Sequence, residues 1–168
     1  MDLDQFNQLA RAEAIISLRT CCGSQRWAKA VADQRPFADL DSVLRSASEV
    51  WFQLEKSDWL EAFASHPKIG EKKAQAQQSE QEQRWSEQEQ SGASLATEEA
   101  IRRLAQLNRE YEERFGFIYI VCAAGKNVEE MLELLSSRIA NDPALEIRSA
   151  AGEQAKITEL RLRKLFAA

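Results

Sequence analysis

From the first residues the apolar positions recur at intervals of three and four. Leu3, Phe6, Leu9 and Ala10, then Ala14, Ile15, Leu18 and Cys22, follow helical spacing, with Gly23 placed to stop the run. Ser24 is an N-cap for a short segment carrying Trp27, Ala30 and Val31 that ends before Pro36. Asp39 or Asp41 opens the next helix, whose apolar stripe is Val43, Leu44, Ala47, Val50, Trp51 and Leu54. Ser57 is expected to cap another, with Trp59, Leu60 and Phe63 facing inward and His66 just past its end.

The pattern then changes. From Lys72 to Gln90 the chain is rich in Gln, Glu and Ala, with Trp85 its large apolar residue, and composition alone favours a solvated or partly disordered helix. Gly70 to Lys73 and Ser91-Gly92-Ala93-Ser94 bound that stretch. Thr97 caps a long helix bearing Ile101, Leu104, Leu107 and Tyr111, closed by Gly116. Next comes Phe117-Ile118-Tyr119-Ile120-Val121-Cys122-Ala123, a continuous apolar run of strand-like composition with no second strand to pair with it. Asn127-Val128-Glu129-Glu130 is a capping box opening a helix with Met131, Leu134, Leu135 and Ile139 inside. Asp142-Pro143 starts the last helix, which carries Leu145, Ile147, Ile157, Leu160 and Leu165, with Gly152 its weak point. The expected architecture is all-α: a single bundle-like domain over residues 1–168 with about seven or eight helices joined by short loops.

Composition narrows the chemistry. The formal net charge is −5 and no basic run stands apart from acidic neighbours, which argues against nucleic acid as a partner. The acidic start Met1-Asp2-Leu3-Asp4-Gln5 has no apolar core of a signal peptide, no run is apolar enough to span a bilayer, and the last residues are no peroxisomal address. Three cysteines cannot all pair, and Cys21 and Cys22 are adjacent, so they read as reduced thiols of a cytoplasmic protein. One histidine and scattered cysteines supply no metal-ligand cluster, and there is no glycine-rich phosphate loop. Chemistry without metal or nucleotide is the expectation.

His66, the sole histidine, sits where Pro67 forces the helix to end. An imidazole there can give or take a proton near neutral pH, or it can simply cap the helix through a carbonyl. Ser86, Glu89 and Gln90 lie three and four residues apart, on one side of a helix, and combine donors and acceptors suited to a flat polar heterocycle. Capping or solvent contact is the other reading of the same three residues. Arg161, between Leu160 and Leu162, can snorkel or turn inward to hold a carboxylate in two parallel bonds. In the 117–123 run, buried main-chain groups without a partner strand need other partners, and a polar ligand is one option.

Taken together, His66-Pro67-Lys68-Ile69-Gly70, Ser86-x-x-Glu89-Gln90, Phe115-Gly116-Phe117-Ile118-Tyr119-Ile120-Val121-Cys122-Ala123, Arg138-x-x-Asn141-Asp142 and Lys156-Ile157-x-x-Leu160-Arg161-Leu162 closely resemble the OHCU decarboxylase family. These are the 2-oxo-4-hydroxy-4-carboxy-5-ureidoimidazoline decarboxylases of urate breakdown, and the resemblance runs over almost the whole chain. It implies an all-α, homodimeric carboxy-lyase that uses no cofactor and forms (S)-allantoin and carbon dioxide. By the same resemblance His66, Glu89 and Arg161 match catalytic residues. Pro67, the cluster Ser86, Glu87, Gln88, Glu89 and Gln90, and the run Tyr119, Ile120, Val121, Cys122 and Ala123 match substrate contacts. Two departures stand out: a longer glutamine-rich spacer after His66, and Tyr119 where phenylalanine is commoner. Two other readings keep the same residues, a non-catalytic helical binding module and a hydrolase of a related ureide.

Overall fold

A computed structural model describes residues 1–69, 80–89 and 97–167, without the side chain of Glu89. Gly70, residues 72–79 of the glutamine-rich stretch, Gln90 and the Ser91 to Ser94 break therefore lie outside the described residues. Among those described there are nine helices and no strand. The chain divides into two compact units, residues 1–62 with 154–168, and residues 63–153.

In the first unit, α1 (Leu3–Gln8) is opened by Asp2, whose carboxylate accepts the Gln5 amide while the Gln5 side chain accepts the Asp2 amide. Helical spacing carries on through Leu9 and Ala10, yet the chain breaks there and restarts as α2 (Arg11–Cys21). The reason is a distant side chain. Arg35 donates to the carbonyls of Phe6 and Leu9 at 2.7 and 2.8 Å, so a cation ends α1 where its own last turn has none.

Ser24 caps α3 (Gln25–Ala32), accepting the Trp27 amide, and Asp39 rather than Asp41 caps α4 (Leu40–Gln53). The fifth helix, α5 (Lys56–Ala64), starts before Ser57. The Glu55 amide donates to the Asp58 carboxylate at 3.2 Å, so Asp58 does the work expected of Ser57. Helix α2 packs on α3 and α3 on α4. Trp27 is fully buried there, and its indole N–H is satisfied by the Ala47 carbonyl at 2.9 Å.

The second unit contains α6 (Glu80–Glu89), α7 (Glu98–Phe115) and α8 (Val128–Arg138), and α9 (Pro143–Phe166) begins in it. Thr97 caps α7, Asn127 caps α8 in a capping box with Glu130, and Asp142 accepts the Ala144 amide at the start of α9. Gly116 ends α7 at φ +78, the left-handed turn that lets its amide reach the Glu112 carbonyl. Helix α7 packs on α8, and α9 runs unbroken through Gly152. Leu145, expected on the apolar side of α9, is exposed. No helix among the described residues is long and apolar enough to cross a membrane.

Candidate active site

Helix α5 ends at Ala64, and the His66 amide closes its last turn on the Phe63 carbonyl at 3.1 Å. Pro67 then turns the chain away. Two contacts from α7 hold the turn. Asn108 donates to the Ile69 carbonyl at 3.3 Å, and the Lys68 ammonium pairs with Glu112 at 2.5 Å. His66 is half-buried in this turn, as is Pro67, while Ile69 is buried beneath. The imidazole is thus carried by a short segment tied at both flanks, which limits its motion without burying its ring.

On α6, Ser86 is buried, 5% exposed, whereas Glu87 and Gln88 are exposed. That is what one helix face against a core and one against solvent produce. Glu89 is the last residue of α6; its side chain and Gln90 lie outside the described residues.

Residues 117–123 follow Gly116 with no helix or turn, and all except Ile118 are buried. Phe117 stacks within an aromatic group, its ring centroid 5.4 Å from Phe63 and 5.7 Å from Tyr111. The main chain of the run is met by charged side chains rather than by a neighbouring strand. Arg138 donates to the Ile120 carbonyl at 2.6 Å, Glu153 accepts the Cys122 amide at 2.8 Å, and Lys126 donates to the Cys122 carbonyl at 2.7 Å. Hydrogen bonds to charged groups are worth roughly 1.5–3 kcal/mol each, so these bonds can replace a partner strand.

Arg138 belongs to a buried network. Its Nε and Nη2 both donate to one oxygen of Glu146, at 2.8 and 2.5 Å, and the Tyr111 hydroxyl donates to the same oxygen. Asn141 donates to the other oxygen at 2.8 Å. Burial opposes the charge on Arg138, but Glu146 and the neighbouring tyrosines raise its pKa above the ordinary value. The Arg138 guanidinium also lies over the Tyr119 ring, 4.8 Å from the centroid. Burial, offset only in part by that cation, pushes the Tyr119 hydroxyl up to about 12. The hydroxyl is buried and has no hydrogen-bond partner among the described residues. The sequence marks Tyr111 only as part of the apolar face of its helix, Arg138 as part of a motif and Asn141 as part of that motif and the end of a helix, and gives no sign of a role for Glu146 or Glu153. The sole local trace of Glu146 is its place in the first turn of the helix that Asp142-Pro143 opens.

Arg161 lies in the first unit, on the C-terminal part of α9, and is 4% exposed. It has turned inward. Burial pushes the Cys22 thiol up to about 12, opposed in part by hydrogen bonds from Ser24 and Thr158 and by the Arg161 charge. Cys21, Cys22 and Cys122 are all buried.

Of the sequence-predicted residues, His66, Pro67, Ser86, Glu87, Gln88 and Tyr119 to Ala123 belong to the 63–153 unit, and Arg161 belongs to the other. Among the described residues the protein is all-helical, with a half-buried histidine in a braced turn, a buried serine and a buried irregular run, which places it in the class of small α-helical proteins. Comparison with known proteins gives the family. The OHCU decarboxylase family model matches residues 7–163. A crystal structure of OHCU decarboxylase in the presence of (S)-allantoin is 39% identical, with a TM-score of 0.77, covering 89% of this chain and 96% of that one. The 2-oxo-4-hydroxy-4-carboxy-5-ureidoimidazoline decarboxylase of Amia calva is 32% identical over 99% of this chain and 95% of its own length. The uric acid degradation bifunctional protein TTL of Arabidopsis thaliana is 38% identical over 88% of this chain, which spans about half, 46%, of that relative. The chain belongs to the OHCU decarboxylase family.

Proposed function

We propose that this protein is a carboxy-lyase that converts 2-oxo-4-hydroxy-4-carboxy-5-ureidoimidazoline into (S)-allantoin and carbon dioxide in urate breakdown, without a cofactor. The observation that carries this reading is the match to the OHCU decarboxylase structure with (S)-allantoin, which extends over nearly all of both chains. The family model spans both units, which supports reading residues 1–168 as one domain of this family.

As the carboxylate leaves, its bonding electrons stay on the ring carbon, and the adjacent C=N unit of the imidazoline accepts them. The protein's tasks are to hold the leaving group out of the ring plane and to return a proton to one face. His66 is the proton-transfer group, and its braced turn supports that role because the proton must arrive from a fixed direction. By the family resemblance Glu89 is the carboxylate that partners His66 in the chemistry. By the family resemblance Arg161 is assigned to the ligand's anionic end, a task that suits a guanidinium because its planar fork can hold a carboxylate in two parallel bonds. Pro67, Ser86 to Gln90 and the main chain of Tyr119 to Ala123 grip the ring and ureido groups. The family resemblance also supports a homodimer, and the buried thiols are in keeping with a cytoplasmic protein.

The test is turnover of freshly generated substrate, followed by circular dichroism for optical purity and by trapping of carbon dioxide. Fast, stereospecific formation of (S)-allantoin with stoichiometric carbon dioxide is expected. A rate equal to the spontaneous, racemic reaction would leave only a binding module, and product without carbon dioxide would mean ureide hydrolysis.

A further inference from the structure

We propose that Glu153 and Arg138 are positioning residues for the ligand-binding run, holding its main chain at Ile120 and Cys122 in the geometry that a bound ureidoimidazoline needs. This deepens the function proposed above and rests on it for the identity of the ligand. The geometry is direct. A cation from α8 holds the Ile120 carbonyl at 2.6 Å, and an anion from α9 holds the Cys122 amide at 2.8 Å. Lys126 takes the Cys122 carbonyl at 2.7 Å. Val121, between the two anchors, is fixed from both sides.

Each anchor is itself restrained. Arg138 is locked on Glu146, which also takes Tyr111 and Asn141, so the guanidinium cannot drift without breaking a buried network. Glu153 projects from a helix that continues unbroken past it. A strand would have positioned the run through a neighbour's main chain. Here two oppositely charged side chains do so, and each can be altered singly. A main-chain run that contacts the ring alike in ground and transition states contributes uniform binding, so loosening it raises KM more than it lowers kcat.

The experiment uses the full chain with three substitutions. Glu153→Met removes the acceptor while keeping bulk and helix propensity, Glu153→Ala removes both acceptor and bulk, and Glu153→Gln keeps an acceptor oxygen without charge. Kinetics with freshly generated substrate and amide hydrogen exchange at Cys122 are measured on each. Expected are a KM raised about tenfold or more with kcat within about threefold in the Met and Ala variants, faster Cys122 exchange in both, and near-normal values of each in the Gln variant. A folded Met or Ala variant with unchanged KM and unchanged Cys122 exchange overturns the inference. So does a Gln variant as impaired as Ala, since charge and not the amide contact would then matter. If wild-type protein fails to decarboxylate the substrate, the proposed function falls, and the exchange measurement still decides whether Glu153 anchors the run.

Discussion

Removing the Glu146 carboxylate should be among the most damaging single changes outside the proposed contacts. Glu146 is 0% exposed and accepts from Arg138 Nε and Nη2, the Tyr111 hydroxyl and Asn141 Nδ2. In Glu146→Leu, Arg138 remains a buried cation whose nearest acceptor is the Ile120 carbonyl, and Tyr111 loses the oxygen to which it donates. Stranding a buried charge costs about 3–5 kcal/mol, and an unpaired buried hydroxyl about 1–3 kcal/mol. Because both losses share one acceptor they do not add fully, and a cost of about 4–6 kcal/mol is expected, a large share of a typical domain's ~5–15 kcal/mol. Arg138→Met strands the opposite charge and should cost a similar amount. The double variant strands neither charge, so it should be less destabilised than the sum of the singles by about 3 kcal/mol or more. Urea unfolding of the three variants, read by far-UV circular dichroism at equal slopes, measures this directly. Additive single costs, or a Glu146→Leu cost below about 1.5 kcal/mol, would refute the coupling of these charges.

Other consequences follow from the same structure. His66→Asn should lower kcat by about 10²–10⁴-fold with an unchanged unfolding midpoint, and normal single-turnover rates in folded protein would remove His66 from the chemistry. Gly116→Ala should cost about 1 kcal/mol or somewhat more through the φ +78 backbone alone, since a Cβ there meets nothing within 4 Å; an unchanged midpoint would contradict that. Alkaline pH should destabilise the fold. Cys22 and Tyr119 are pushed to about 12 from ordinary values of 9.0 and 10.0, so the unfolded chain loses those protons first and stability is lost as pH rises from about 9 towards 12. Each group contributes at most about 1.4 kcal/mol per pH unit in that window, and a urea midpoint flat from pH 8 to 11 would refute it.

Much of the fold was legible because its signals are local. Ser24, Asp39, Thr97 and Asn127 each satisfy an amide three residues ahead, a bond that sequence spacing alone reveals, and Gly116 supplies a dihedral that other residues resist. Pro67 likewise marks where α5 must stop and so where His66 stands. The break at Leu9 and Ala10 was not legible, because Arg35 makes it from a loop after α3. Nor was the start of α5, where Asp58 supplants Ser57, or the exposure of Leu145.

The candidate site divides the same way. Residue types and spacing along the chain determined that an imidazole, a serine on α6, an apolar run and an arginine on the last helix were the groups to watch. Only tertiary structure decided that Asn108 and Glu112 brace the histidine turn, that Arg161 lies buried, and that Arg138 and Glu153 take the main chain of a run with no partner strand. The physical reason is range. Caps and turns are settled by groups a few residues apart, whereas a buried carbonyl or amide takes whatever donor or acceptor packing delivers, and for Ile120 and Cys122 those come from two helices further along the chain.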